Sequence, residues 1–213
     1  MKYLTILFDF DGTIADTADL SIDIINSIAP EFGIVPVRAE EVPVLKKMSA
    51  YKLLTERSGI PLWNIVKIRR LERRVREEFA RRADNIRLFE AVVPLVRTLR
   101  AAGYEIGIVT SNAHAVVVGA LERADVEVDF VHAGSKFFGK ARAIRAALRE
   151  YELNRRSTVY VGDELRDVEA CKKVGIDCIA VGWGFNAPEA LEKAGVKVAA
   201  TPQQLLGMLT DSS

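Results

Sequence analysis

The chain of 213 residues is 49% hydrophobic and 28% charged, with 30 lysines and arginines against 29 aspartates and glutamates. A formal charge of +1 provides no global field for gripping nucleic acid or an anionic membrane, and the apolar content excludes a disordered chain. Function therefore resides in a local site, on one medium domain or a domain carrying a smaller insertion.

The first apolar run, Tyr3–Phe8, is too short to span a bilayer, as is every other run in the chain. Two aspartates follow it and a small-residue cleavage site does not, so it reads as a buried strand. From about Thr17 to Ala83 strand signals cease. Pro30, Gly33, Pro36, Pro43, Gly59 and Pro61 interrupt a helical pattern, and Leu62, Ile65, Val66, Ile68, Leu71, Val75 and Phe79 trace an apolar stripe along one long helix. The same helix carries Lys67, Arg69, Arg70, Arg73, Arg74, Arg76, Arg81 and Arg82 against Glu72, Glu77 and Glu78. Without aromatic interleaving or a nucleic-acid reading motif, these charges read as a solvated face laced by i,i+4 ion pairs.

Beyond the helix, Glu105–Val109, Val126–His132, Thr158–Val161 and Cys178–Val181 are short runs rich in β-branched or aromatic residues. They alternate with helical patterns at Ala91–Ala102, Ala113–Ala124, Ala141–Tyr151, Asp167–Val174 and Pro188–Ala194. Strands that are apolar along their length and alternate with helices predict a parallel sheet covered on both faces. Right-handed crossovers make it doubly wound. The expected fold is α/β, a doubly wound parallel sheet of Rossmann type over residues 1–16 and 84–213, with an all-helical insertion at 17–83. Cys171 and Cys178 fit neither a disulfide framework nor a zinc spacing and read as thiols of a reducing cytoplasm.

Such sheets bind ligands at the carboxyl ends of their strands. The first strand ends in Phe8-Asp9-Phe10-Asp11-Gly12-Thr13. Two carboxylates so close repel unless a cation lies between them or one holds a proton, and hard oxygen ligands with access to water suit Mg²⁺. Acidic strand ends are common, so the pair alone decides nothing. Glu105–Val109, however, runs into Thr110-Ser111-Asn112, which are hydroxyl and amide groups at a helix start, either a plain cap or an anion site. Lys140 follows the loop Gly134–Gly139 and precedes a helix, and Thr158–Val161 runs into Gly162-Asp163-Glu164-Leu165-Arg166-Asp167. His114 and His132 read as an exposed helix start and a strand end. Trp183 and Phe185 read as a loop packed near the same edge.

In that order, Asp9-Phe10-Asp11-Gly12-Thr13, Thr110, Lys140 and Gly162-Asp163 with Asp167 resemble the four motifs of the haloacid dehalogenase-like hydrolase superfamily. Residues 16–83 resemble the helical C1 cap of its phosphoglycolate-phosphatase-like members. The resemblance implies a Mg²⁺-dependent phosphomonoester hydrolase acting on a small phosphorylated metabolite. By that likeness Asp9 is the nucleophile that becomes an aspartyl-phosphate, and Asp11 protonates the leaving oxygen and then activates water. Asp9, the Asp11 backbone carbonyl and Asp163 would hold Mg²⁺, with Asp167 binding it directly or orienting a ligand. Thr110, Ser111, Asn112 and Lys140 would hold the phosphoryl oxygens. Lys46 and Lys47, beside Met48 and Ser49, fall in the segment that the family folds over the site, and they are candidates for setting substrate preference.

The likeness also narrows the reaction. Dehalogenase members lack the second aspartate, present here as Asp11, and the P-type ATPases carry lysine and threonine after the nucleophile. The β-phosphoglucomutases carry a histidine where this chain has Ser21. Phosphonoacetaldehyde hydrolases need a cap lysine, for which Lys46, Lys47 and Lys52 are candidates, but usually lack the second acid. These two stand as alternatives, beside a non-enzymatic receiver-type phosphoacceptor domain, which has similar groups at strand ends but no helical insertion. The expected setting is cytoplasmic, with neither nucleic acid nor membrane as partner. Oligomeric state is left open.

Overall fold

Thr5–Phe8 (β1) is buried at all four positions, as a strand covered on both faces must be. The computed structural model describes residues 2–48, 52–53, 56, 58–61, 63–134 and 139–210. After β1 the chain forms a two-residue strand Ala15–Asp16 (β2), helices Ala18–Phe32 (α1), Val42–Leu45 (α2) and Ile65–Arg81 (α3), and a short strand Arg87–Leu88 (β3). It then alternates through Val92–Ala101 (α4), Glu105–Val109 (β4), His114–Arg123 (α5), Phe130–His132 (β5), Lys140–Glu150 (α6) and Thr158–Gly162 (β6). Leu165–Val174 (α7), Asp177–Val181 (β7), Pro188–Lys193 (α8), Lys197–Ala199 (β8) and Pro202–Thr210 (α9) complete it.

The main sheet has six strands in the order β5-β4-β1-β6-β7-β8, every pair parallel. The crossovers leave β1 toward both sides, so a crevice opens at the carboxyl ends of β1, β4 and β6. Register makes the three ends level: Phe8 stands opposite both Ile108 and Val161. Asp9, Thr110 and Asp163 therefore leave the sheet as neighbours. Alternation divides the core. Ile6, Phe8, Ile106, Ile108, Val159 and Val161 join one buried cluster with α4, α5 and α9, while Leu7 and Tyr160 face α6 and α7.

Gly107 in β4 shows how tight this packing is, because a Cβ there would lie 2.2 Å from the ring of Phe130, which itself stacks on Tyr151 at 3.8 Å between centroids. Gly107→Ala must displace that ring, and overpacking of this kind costs about 1–3 kcal/mol. A lowered denaturant midpoint with an unchanged slope is the expected result.

The helical segment between β2 and β3 has its own small core, in which Ile28, Ala29, Phe32, Ile34, Ile60, Ile68 and Leu71 pack α1 against α3. Its long helix starts at Ile65 because Asn64 caps it, Oδ1 accepting from Lys67 N at 3.1 Å. Of the residues expected to matter in this segment, Leu62 and Ser49 lie outside the described residues. The ion pairs expected on α3 form, but their centre is not solvated, since Glu78 is buried. Arg74 reaches Glu31, Glu77 and Glu78 at 3.1, 2.9 and 3.2 Å, and Arg81 reaches Glu78 at 2.8 Å. Arg76 departs from that pattern and turns to the crevice.

Several elements differ from expectation. β2 and β3 pair antiparallel, Ala15 with Leu88 and Asp16 with Arg87, joining the two connections into a ribbon. The strand expected over Val126–His132 is confined to Phe130–His132, because Asp125 takes a positive φ of 51° and Asp129 spends Oδ2 on Ile106 N at 2.7 Å. No helix among the described residues is long and apolar enough to cross a membrane.

Candidate active site

The β1 ladder runs one residue past the strand, with Asp9 N donating to Val161 O at 2.8 Å. This fixes the backbone of Asp9, whose side chain is 1% exposed. Phe10 N donates to Asp9 Oδ1 at 2.8 Å, and Lys140 Nζ stands 2.7 Å from Oδ2. The chain then turns sharply, with the amides of Ile14 and Ala15 both donating to Phe10 O. Gly12 makes the turn at φ 75°, and a Cβ there would sit 2.2 Å from Asp163 Oδ2. Both the conformation and the space demand glycine.

Asp163, fully buried, is held from two loops: Oδ1 accepts from Thr13 Oγ1 at 2.9 Å and Oδ2 from Phe185 N at 2.7 Å. Asp167 lies in the first turn of α7, its Oδ2 accepting from Glu164 N at 3.1 Å and its Oδ1 3.2 Å from Lys140 Nζ. Glu164 is paired with Arg166 at 2.6 Å. At the end of β4, the buried Thr110 accepts from Asn112 N at 3.0 Å, and Asn112 Nδ2 reaches both oxygens of Asp11 at 3.4 Å. The plain-cap reading of this loop does not hold, since α5 begins only at His114 with Ala113 as its N-cap. Ser111 is half-buried beside Asp11 on the crevice wall.

Lys140 binds the halves of the site together. It is 4% exposed, contacts Asp9 and Asp167, and donates to Tyr160 Oη at 2.8 Å. Tyr160 Oη in turn donates to Val109 O at 3.2 Å. Burial opposes the ammonium charge, yet Asp167 and Asp9 overcome it and hold the Lys140 pKa above its ordinary value. Burial raises the Tyr160 phenol well above its own value, so it stays protonated and can donate.

The acids are pushed the other way. Burial and then the Asp9 charge raise Asp11 to about 6, against hydrogen bonds from Thr17 and Asn112. Burial raises Asp167 to about 6 despite Lys140, and burial with the neighbouring carboxylates raises Asp163 well above the carboxylate range. Asp9, Asp163 and Asp167 each bring an oxygen within 4.8 Å of the others. Asp9 Oδ2 and Asp167 Oδ1 also lack a hydrogen bond, although both face the Lys140 ammonium. Three hard donors compressed in this way fit a small divalent cation.

The structure thus brings together Asp9, Asp11, Thr110, Ser111, Asn112, Lys140, Asp163 and Asp167. Lys46 is half-buried and turned to the next loop, Nζ donating to Gly184 O at 3.3 Å, while Lys47 is exposed. Sequence reading missed Asn186, which is 2% exposed and clamps that segment to the sheet edge. Its Nδ2 donates to Lys46 O at 2.8 Å and Met48 O at 3.0 Å, and its Oδ1 accepts from Leu165 N at 2.8 Å. Tyr160 was also missed, although a lone tyrosine in an otherwise aliphatic buried strand was a readable signal. His114 is exposed and His132 meets Glu150 at 3.0 Å. Trp183 Nε1 donates to Thr13 O at 3.1 Å, which places that loop at the catalytic edge.

Above Asp11 lies a cavity of about 80 Å³, lined by Asp11, Ser111 and Asn112 below and Glu72, Val75, Arg76 and Phe79 of α3 above. A larger cavity of about 310 Å³ lies by the amino ends of β7 and β8, and no predicted site residue lines it.

At this edge a buried carboxylate, Asp9, is aimed by a backbone amide and braced by a buried ammonium, and its neighbour Asp11 lines the small cavity. The haloacid dehalogenase-like hydrolase family matches residues 6–181, and the chain belongs to that family. A phosphoglycolate phosphatase of Synechococcus elongatus is 33% identical over 97% of this chain and 93% of its own. A relative named tyrosine-protein kinase PtkA, from Mycobacterium tuberculosis, is 28% identical over 94% of this chain and 70% of its own. Among solved structures, one titled a predicted phosphatase of Clostridium acetobutylicum superposes with a TM-score of 0.82 at 20% identity, covering 99% of this chain and 100% of that one. Within the family, the protein is a phosphatase.

Proposed function

We propose that the protein is a Mg²⁺-dependent phosphomonoester hydrolase that cleaves a small phosphorylated metabolite through an aspartyl-phosphate on Asp9. The observation that carries this reading is the Asp9 carboxylate, buried, oriented by Phe10 N and paired with Lys140. Residues 1–16 and 84–213 would form the catalytic core and 17–83 the cap. The relative named phosphoglycolate phosphatase makes 2-phosphoglycolate the first substrate to test.

In this mechanism an Asp9 oxygen bonds to phosphorus as the ester P–O bond breaks. Asp11, with its pKa near 6, donates a proton to the leaving oxygen and afterwards takes one from the water that hydrolyses the intermediate. Asn112 steadies Asp11 through both steps. Thr110, Ser111 and Lys140 hold phosphoryl oxygens. Asp9, Asp163, Asp167 and the Asp11 carbonyl would hold Mg²⁺, which supplies positive charge against the approach of two anions.

The two related chemistries find less support. Ser21, where a mutase would carry histidine, spends its hydroxyl on Thr17 O at 2.6 Å. Lys46 is bonded to Gly184 O, and Lys47 and Lys52 are exposed, so none is desolvated as a Schiff-base lysine requires. Purified protein should release phosphate from 2-phosphoglycolate and p-nitrophenyl phosphate with Mg²⁺ and cease on chelation. No release from any phosphomonoester in the presence of Mg²⁺ would overturn the reading.

The metal also has a signature in stability. Asp167 is raised in the folded state from 3.8 to about 6, so its contribution is largest at low pH and is lost as pH rises through about 6. Asp163 shifts in the same direction. The metal-free protein should therefore melt at a lower temperature at pH 7.5 than at pH 5.5. Mg²⁺, which competes with these protons, should raise Tm more at the higher pH. Thermal melts at both values, with and without Mg²⁺, check the sign.

A further inference from the structure

Arg76 lies on the one face of α3 that the ion pairs do not use. Arg70, Arg73, Arg74 and Arg81 each meet a glutamate within 4.0 Å. Arg76 instead lines the cavity above Asp11, one turn from Glu72 and beside Val75 and Phe79. Its Nε is inaccessible to water and has no hydrogen-bond partner among the described residues. A buried guanidinium donor without an acceptor is a costly arrangement unless a ligand completes it. Across the cavity stand Ser111, Asn112 and Asp11, the residues that face the phosphoryl group and its ester oxygen in the proposed reaction.

We infer that Arg76 binds a carboxylate on the leaving group, so that the protein selects small phosphorylated hydroxy acids over neutral phosphate esters. This rests on the phosphatase reading above. Cavity size sets the scale. About 80 Å³ is far below the roughly 300–1,000 Å³ of sites for drug-sized ligands, so only a few heavy atoms fit between the ester oxygen and α3. Polarity sets the class. A planar guanidinium pairs with a carboxylate through two parallel N–H···O bonds. Two acids also line this cavity, but Asp11 is tied to Asn112 Nδ2 at 3.4 Å, and neither it nor Glu72 forms an ion pair with Arg76, whose Nε stays without an acceptor among the described residues.

The test compares 2-phosphoglycolate with 2-hydroxyethyl phosphate, which replaces the carboxylate by a neutral hydroxymethyl group. Wild type should favour the acid by about 100-fold in kcat/KM, the scale of a desolvated charge-assisted contact. Arg76→Gln should lower kcat/KM for 2-phosphoglycolate by about 100-fold, mostly in KM, and change the neutral ester by less than about 3-fold; Arg76→Lys should recover about a tenth of the loss or more. Binding provides a readout that does not depend on turnover. The Ki of 3-phosphonopropionate should rise in parallel in Arg76→Gln, while that of propylphosphonate should not. Equal loss on both esters, or a wild type that discriminates by less than about 3-fold, overturns the role of Arg76 while leaving the phosphatase reading in place. Hydrolysis of neither ester nor of p-nitrophenyl phosphate overturns the phosphatase reading, and this inference with it.

Discussion

Asp9→Asn should lower turnover by about 10⁴–10⁶-fold while the protein remains folded. The substitution holds volume nearly constant and removes the negative charge that attacks phosphorus. One end of the amide can still satisfy Phe10 N, but the other then presents an N–H to the Lys140 ammonium, where the carboxylate oxygen stood at 2.7 Å. That local loss is offset, because Asp163 and Asp167 lose a like charge whose repulsion helps to raise both pKa values. Far-UV circular dichroism and the melting temperature should therefore change little. Acid quenching of wild type during turnover should trap one phosphoryl group on the protein, labile to alkali, and the variant should trap none. Turnover near wild type in Asp9→Asn would refute covalent catalysis at this residue.

The site was legible because its residues lie where three strands stop. Glu105–Val109 was read with the observed bounds, and Thr158–Gly162 and Asp177–Val181 within one residue. Fully buried parallel strands leave continuous apolar runs, and polar residues that break such runs mark the carboxyl edge. Asp9, Thr110 and Asp163 each directly follow or nearly follow such a run. The family resemblance supplied what spacing does not, namely that Lys140 reaches this edge from a helix start.

Elements too short to carry a period were not legible. β2 and β3 have two residues each, and β8 has three with only Ala199 buried. Helix α9 follows β8 and was missed with it, although Leu205 and Leu209 are fully buried against the first sheet face. Asn186 was missed for a different reason. Its amide acts through long-range bonds to Lys46 O, Met48 O and Leu165 N, and nothing in the adjacent sequence marks it. Arg76 was read among the solvated arginines because helical periodicity assigns a face only to within a residue or so, and its near neighbour Arg73 does point outward. Asn186→Ala should accordingly loosen the Lys46–Met48 segment, seen as faster amide hydrogen exchange there, with little change in the sheet.

Lys140→Met carries the second large effect, and it acts on folding and catalysis together. The lysine stem is replaced at similar volume, so packing against α7 is nearly preserved while the charge is lost. Asp9 Oδ2 and Asp167 Oδ1, which already lack hydrogen bonds, then lose the ammonium at 2.7 and 3.2 Å that balances them. Removing one partner of a buried ion pair costs about 3–5 kcal/mol, because the remaining charges stay in place unpaired. Tyr160 loses a donor to its hydroxyl but retains its own bond to Val109 O. The deficit should depend on pH in a defined direction. Without Lys140 the folded-state pKa of Asp167 rises beyond about 6, so protonation relieves the burial of charge at low pH, and stability is lost as pH rises through that value. Denaturant unfolding should therefore show a larger deficit at pH 7.5 than at pH 5.5, and Mg²⁺ should recover part of it by supplying charge to the same carboxylates. Turnover should fall about 10³-fold and stay low at saturating Mg²⁺, because a phosphoryl oxygen loses the cation that stabilises its developing charge. A deficit that is the same at both pH values would mean that Lys140 supports the fold by packing rather than by charge.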